Sequence, residues 1–461
     1  MVGLVRNLFS KYCLLVRILF FVLLFGVLSF GRAFSIIHID VHLFPIFITE
    51  VFLLSSLPLI IIKGRGLLKI PPLFLNIALV YFLFGFFYLL SGVLDKNIFA
   101  LRDFTVLCGY MLFLPLAFIF FSSLKPIKIF LLVIFFTNLI AILMGKMLIS
   151  GAHPFWFYDF ISKAKTFQIG IVYGVSSAFL LVFYNYLKNK VLSLLILLLV
   201  SINLYMLIIF GVRSLWVAVI CLAVFLMLIS GFRVMAKVYL KLLVSFLFIG
   251  SVLFYVNFVV FKTSHLDTLI GRGKSFTHIF DVCFGKEPLF DMHDKLTLRD
   301  ESEKVGYADI VWRSKIWSQT IEFTSGSYLF GKGFGHYPTY NIWGYQKPSS
   351  PFTDSNIIPT HNYFLTIFYK LGFLGLGLFI FINAYVFYYA FRYLKKCKSE
   401  FIKLVLIGIL GALIFWHVMA LFFDVIDSPA TSILLWIFIG LLFAVVKIDK
   451  KVSIIKWDEV S

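Results

Sequence analysis

The sequence predicts an all-α integral membrane protein of about twelve spanning helices, with one large extramembrane loop between the ninth and the tenth. Three observations predict this. Hydrophobic residues make up 61% of the chain and charged residues only 14%, whereas soluble domains carry about a quarter charged. Mean hydropathy is +1.01. Apolar runs of about 20 residues, long enough to cross a hydrocarbon core, recur from end to end. In lipid such segments must satisfy their backbone groups internally, which makes them helices.

The apolar pattern places spans at 14–30, 43–62, 73–94, 104–121, 129–148, 169–186, 191–210, 215–229, 242–261, 363–391, 404–421 and 431–446. The tenth is too long for one crossing. Gly372 and Gly375 are expected to divide it into a short helix at the membrane mouth and a true span. The chain then has four parts: a membrane region of nine helices (1–261), the large loop (262–360), three further helices (361–446) and a tail (447–461). No internal repeat is visible.

The net charge of +19 follows from topology and gives no reason to expect a nucleic-acid partner. With the N-terminus in the cytoplasm, the basic residues fall in alternate loops. These hold Lys63, Arg65 and Lys69; Lys125 and Lys128; Lys188 and Lys190; Arg233, Lys237 and Lys241; and Arg392, Lys395, Lys396 and Lys398. The tail adds Lys447, Lys450 and Lys451. The intervening short loops hold scattered positives only: Arg32, Lys96, Arg102, Lys163, Lys165 and Arg213. That is the positive-inside asymmetry. It puts loop 262–360, where acids and bases balance, outside, and both termini in the cytoplasm.

Arg6 and Lys11 ahead of an apolar run resemble a signal sequence, but no small-residue cleavage site follows, so the segment reads as an uncleaved first span. Cys13, Cys108, Cys221 and Cys397 fall in spans or cytoplasmic loops, which leaves Cys283 alone outside, without an external partner for a disulfide. No Cys/His spacing suggests zinc. No phosphate-binding Walker sequence is present, so the chain does not read as an ATPase. No cofactor is expected.

The chemistry is expected in and beside the loop. Residues 262–305 read as a solvated stretch, in which Arg272, His278 and His293 are surface residues. From Tyr307 the pattern changes. Ile310, Ile316, Ile321 and Phe323 interleave with Trp312, Arg313 and Trp317 at helical spacing, predicting an amphipathic helix suited to the bilayer interface. Gly331, Gly333 and Gly335 then form a turn in which other groups can approach the backbone closely. His361 and Asn362 stand at the mouth of the tenth span.

Three blocks in order resemble the bacterial O-antigen ligases and the related O-antigen and polysaccharide polymerases. They are Gly211-Val212-Arg213-Ser214; then Arg313 and Trp317 followed by Leu329-Phe330-Gly331-Lys332-Gly333-Phe334-Gly335; then His361-Asn362-Tyr363 with Leu371-Gly372 and Leu374-Gly375. The first departs from the commoner Ser-Arg-Gly by reading Val-Arg-Ser. The resemblance covers the C-terminal half.

It implies a glycosyltransferase of the GT-C type in the bacterial inner membrane, its active site facing the periplasm. Such an enzyme moves a glycan from undecaprenyl pyrophosphate to an acceptor hydroxyl, with inversion and without a metal. The acceptor is lipid A–core for a ligase, or another lipid-linked repeat unit for a polymerase. Arg213 and Arg313 suit the leaving pyrophosphate, because a guanidinium is a permanently charged planar fork. His361 suits the acceptor hydroxyl as general base. Gly331, Gly333, Gly335, Asn362 and Glu50 complete the candidate set as substrate-binding residues. Glu50 enters because an ionisable residue inside a span is costly and usually functional.

Each candidate also has a plainer role. Arg213 as an interfacial cation, Arg313 as half of a surface ion pair, His361 as a helix-end residue and Glu50 as a shallow carboxylate reaching water would all fit. Asn362 is expected to pin the loop to the helix end. The competing function is a polytopic transporter or a flippase of lipid-linked oligosaccharides, for which about twelve spans is also common. A transporter is expected to show repeat symmetry and broken helices in both halves. Polar content gathered into one insert favours the enzyme.

Overall fold

A computed structural model describes residues 2–41, 44–150, 166–184, 186–210, 212–261, 301–342, 345–348, 360–423 and 429–458. The expected loop residues Arg272, His278, Cys283 and His293 lie outside the described residues, as does Gly211. The described chain is a helical membrane bundle with two small hairpins.

The first helix, α1 (Val2–Phe30), leads through a short helix α2 (Arg32–Ser35) into a hairpin of β1 (His38–Val41) and β2 (Phe44–Phe47). This hairpin pairs antiparallel from His38 opposite Phe47 to Val41 opposite Phe44. Helices α3 (Ile48–Lys63), α4 (Pro72–Leu94), α5 (Phe99–Leu107), α6 (Phe113–Phe120) and α7 (Leu124–Ser150) follow. After them come α8 (Thr166–Tyr184), α9 (Lys190–Ile209), α10 (Arg213–Ser230) and α11 (Phe232–Phe261). The insert contributes α12 (Glu301–Phe323) and a second antiparallel hairpin of β3 (Thr339–Ile342) and β4 (Tyr345–Pro348). The chain closes with α13 (Tyr363–Leu394), α14 (Glu400–Ala420) and α15 (Pro429–Asp458).

Each expected span is helical over most of its described residues, but the count of twelve is not met. Among the described residues nine helices are long and apolar enough to cross a membrane, and the bent pair of α5 with Gly109–Phe120 makes a tenth. The two shortfalls have physical causes. The expected span 43–62 loses its start to β2 and becomes α3, 16 residues long. The expected span 169–186 is α8, whose apolar part, Gln168–Tyr184, is short for a crossing.

The core centres on α15, where Ile433, Leu435, Trp436, Ile437 and Phe438 are fully buried. Small residues set its close packing. A side chain at Gly440 would strike the Leu114 backbone of α6, and one at Gly174 of α8 would strike the Phe415 ring of α14. These contacts also fix direction. Gly170 meets Leu215, Gly174 meets Phe415, and Gly411 meets both Ala178 and Leu222. Helix α8 is therefore parallel to α10 and antiparallel to α14, so the start of α10 lies level with the end of α14.

The bundle thus has two distinct ends. At one, Phe183 packs on Phe401, Tyr393 Oη donates to Asp449 at 2.8 Å, Lys447 lies over the Phe118 ring, and Lys241 lies over Tyr184. This end gathers the Lys-rich turns that the charge pattern assigned to one side. At the other, Arg32 N–H donates to Gln168 Oε1, Trp416 Nε1 donates to the Thr431 carbonyl, and Ser432 Oγ donates to the Val106 carbonyl. The insert sits on this second end.

Candidate active site

Helix α12 covers the residues whose spacing predicts a helix. Ile316 and Thr320 are buried on it, while Ser318, Ile321 and Glu322 are exposed. Thr320 Oγ1 shares a hydrogen bond of 2.9 Å with Tyr340 Oη of β3. Successive residues of the helix then engage the membrane region. The Trp312 ring lies 4.8 Å from the His361 imidazole, centroid to centroid. Arg313 Nη1 donates to the Phe422 carbonyl just past α14 at 2.8 Å, with its guanidinium 5.7 Å from the Phe423 ring. Trp317 Nε1 donates to the Thr360 carbonyl at 2.9 Å.

His361 stands in the left-handed region, at φ 51°. A side-chain-bearing residue held there costs on the order of 1–3 kcal/mol and persists only where its surroundings impose it. They do so on both sides. Thr360 Oγ1 donates to the Asn362 carbonyl at 3.0 Å and pairs with Thr366 Oγ1 at 2.5 Å. Asn362 caps α13, its Oδ1 accepting from Leu365 N–H at 3.0 Å. Asn362 therefore does pin the loop to the helix end.

Helix α13 breaks at Gly372 (φ 66°, ψ −168°). The Tyr363 ring lies 5.4 Å from Phe379 and the Phe364 ring 6.0 Å from it. In an unbroken helix residues so spaced would stand about 22–24 Å apart. The first turns of α13 are thus folded back on the rest, giving the short mouth helix expected from the overlong tenth span. Gly375 is helical and buried, so Gly372 alone makes the break.

A broken helix leaves backbone groups unpaired, which is costly at a membrane. The glycine turn supplies the missing partners. Lys332 N–H donates to the Tyr369 carbonyl at 2.8 Å and Gly333 N–H to the Lys370 carbonyl at 2.9 Å. In return Phe373 N–H donates to the Tyr328 carbonyl at 2.8 Å and Leu374 N–H to the Leu329 carbonyl at 3.1 Å. Gly331, at φ 77°, touches this junction so closely that a Cβ there would stand 2.5 Å from Gly372 N. Gly331 N–H donates to the Ser327 carbonyl and Gly335 N–H to Asp103 Oδ2 at 2.7 Å. The three glycine amides are thus engaged within the protein. This gives the glycine turn a docking role within the protein.

Glu50 is also relocated. It occupies the first turn of α3, after β2, instead of lying within a span. Its Oε2 accepts from Phe47 N–H at 3.0 Å, and its Oε1 pairs with Arg102 Nη1 at 3.1 Å. Arg102 in turn covers the Phe47 ring at 4.3 Å. Arg213 opens α10 and is half-buried. Through the register of α8, α10 and α14, the structure brings Arg213 to the end of the bundle that holds Arg313 and His361.

Sequence reasoning missed Asp103, Lys370, Tyr337 and Asn97. Lys370 Nζ stands 2.7 Å from Asp103 Oδ2, donates to the His336 carbonyl and lies 3.6 Å from the Tyr337 ring. Tyr337 Oη donates to Asp103 Oδ1 at 2.5 Å, and Asn97 Nδ2 donates to the Gly335 carbonyl at 3.0 Å. A signal was present for two of them: Asp103 and Lys370 are ionisable residues flanked by apolar sequence.

Comparison with known proteins adds one finding. The family model described as O-antigen ligase matches residues 196–380, a stretch that takes in Arg213, Arg313, the glycine turn and His361. Searches of the curated proteins and of the solved structures gave no match. Over residues 196–380 the chain is therefore similar to the O-antigen ligase family.

Proposed function

We infer that the protein is a membrane glycosyltransferase that moves a glycan from a polyprenyl pyrophosphate, of the undecaprenyl kind, to an acceptor hydroxyl. The observation that carries this reading is the gathering of Arg213, Arg313 and His361 at one end of the bundle. They arrive there from three separate helices, α10, α12 and the mouth of α13. With positive-inside topology that end is the periplasmic face of the bacterial inner membrane, and both termini are cytoplasmic.

In the proposed step the acceptor oxygen attacks the anomeric carbon as the bond from that carbon to the pyrophosphate oxygen breaks. The hydroxyl proton passes to His361. The pyrophosphate leaves with added negative charge, which the guanidinium groups of Arg213 and Arg313 stabilise. Lipid A–core is the acceptor favoured here, since the matching family model is described as O-antigen ligase.

The test is transfer by the purified protein in liposomes, given lipid-linked glycan and either lipid A–core or a second lipid-linked glycan. Glycan joined to lipid A–core supports a ligase, and lengthening of the lipid-linked glycan supports a polymerase. Donor that changes leaflet without any change in its covalent state would overturn the enzyme reading in favour of a flippase.

A further inference from the structure

We propose that the chain carries a binding site for an anionic phospholipid at the end of the bundle opposite His361. A groove of about 530 Å³ opens there between α1 and the turn joining α6 to α7. Its walls are apolar, with Ile18 and Val22 of α1 and Ile129 of α7 among the exposed residues that line it. Its polar mouth is made by Arg17, Ser123 and Lys125. The site is independent of the transfer reaction, since Arg17 lies about 20 Å along α1 from its end at Phe30.

The charges require an explanation. Arg17 sits inside the apolar stretch Asn7–Phe30, and a cation at such a position is expensive unless it is paired. Its Nε–H is buried and donates to no group within the protein, and its guanidinium faces the Phe120 ring at 5.9 Å. Among the described residues no carboxylate pairs with Arg17 or Lys125. The described residues thus supply no anion to these two cations.

One occupant fits both halves of the groove. A phosphodiester headgroup offers oxygens to a guanidinium, an ammonium and a hydroxyl together, and an acyl chain covers the apolar wall below. Basic pockets between membrane helices on the Lys-rich side recognise anionic headgroups in this way. A free anion would use the mouth and leave the apolar wall bare, and a neutral lipid would use the wall and leave the cations unpaired.

The experiment is lipid retention on the purified full-length protein, offered equal amounts of phosphatidylglycerol and phosphatidylcholine with identical chains and read by native mass spectrometry. Wild type should retain phosphatidylglycerol in preference. Arg17→Gln and Lys125→Gln should each lower that preference about fivefold, the usual worth of one basic residue at an anionic surface. Val22→Trp, which fills the groove and leaves the charge intact, should lower retention of both lipids. Lys125 is exposed, so its variant will report even if Arg17→Gln fails to fold. Unchanged preference in Lys125→Gln, or displacement of the lipid by soluble glycerol phosphate at millimolar concentration, would overturn the proposal. Loss of glycan transfer in Arg313→Ala with lipid preference intact would leave it standing.

Discussion

Lys370 of the folded-back mouth of α13 forms an ion pair with Asp103 of α5 at 2.7 Å, and neither side chain reaches solvent. Asp103 also takes the Gly335 amide and the Tyr337 hydroxyl. One carboxylate therefore joins the N-terminal helices, the glycine turn and the broken helix that presents His361. Buried pairs of this kind add little net stability, but breaking one strands a charge. Asp103→Ala should destabilise the protein by about 3–5 kcal/mol. Asp103→Leu combined with Lys370→Met should recover much of that loss. Thermal unfolding in one detergent compares the three proteins, and a double variant as unstable as the single one would count against the stranded charge.

The glycine turn can be tested against its own neighbours. Gly331 and Gly326 share a φ of 77°, but an added Cβ at Gly326 meets nothing within 4 Å, whereas at Gly331 it meets the Gly372 and Lys370 backbone. Gly326→Ala should cost about 1–2 kcal/mol, the backbone strain alone. Gly331→Ala should cost clearly more and should also depress transfer, because the broken helix must shift to admit the methyl group. Equal melting temperatures for the two variants would refute the docking role.

Much of the fold was legible in the sequence because its cause is local. Each apolar run states its own length, and the tenth run advertised its break by being too long and holding Gly372. The register that carries Arg213 to the end of α14 was not legible, since it depends on which small residues of α8 face which helix. The hairpin β1–β2 was hidden because its second strand, Phe44–Phe47, is as apolar as the helix after it. Asp103 was overlooked as one acid at the edge of a span. Its partners Gly335, Tyr337 and Lys370 lie more than 200 residues away, so spacing gave no hint of them.

Topology is tested by labelling introduced cysteines. Lys396→Cys should react with an impermeant maleimide only from the cytoplasmic side, and Asp300→Cys only from the periplasmic side. The native thiol beside the first position gives little background. Burial, reinforced by the nearby Asp449 carboxylate, pushes the Cys397 thiol up to about 11. The reactive thiolate is then scarce at neutral pH, and labelling of wild type should rise as the pH approaches 11. Rapid labelling of Cys397 at pH 7 would refute that shielding.

Arg313 has a structural bond to the Phe422 carbonyl, so loss of activity on its removal must be separated from loss of fold. Arg313→Ala should lower transfer about 10²–10³-fold, the scale of removing one preorganised donor from a developing anion. Arg313→Lys should recover little, since an ammonium lacks the planar fork. Both should melt within a few degrees of wild type. Arg213→Ala should behave likewise, and the loss should fall mainly on turnover if the pyrophosphate charge grows in the transition state. An Arg313→Lys variant with wild-type turnover would assign the residue to its carbonyl bond alone.

His361 is proposed to take the acceptor proton, and its backbone gives the means to isolate that role. The residue is held at φ 51° between Thr360 and the Asn362 cap, with its ring against Trp312. His361→Gly removes the imidazole and also relieves the left-handed strain, so the protein should be at least as stable as His361→Ala. Both variants should transfer about 10²–10⁴-fold more slowly, the usual contribution of a positioned general base. Asn362→Ala should act in the opposite sense, losing about 1 kcal/mol of stability with the helix cap while keeping most of its turnover. Donor binding, measured separately, decides what remains. If His361→Gly binds the lipid-linked donor as wild type does and still transfers at the wild-type rate, the imidazole has no part in the chemistry. If it loses donor binding but transfers normally at saturating donor, His361 belongs with the arginines at the pyrophosphate. Slow transfer with normal donor binding in a stable protein is the outcome expected of a base at the acceptor.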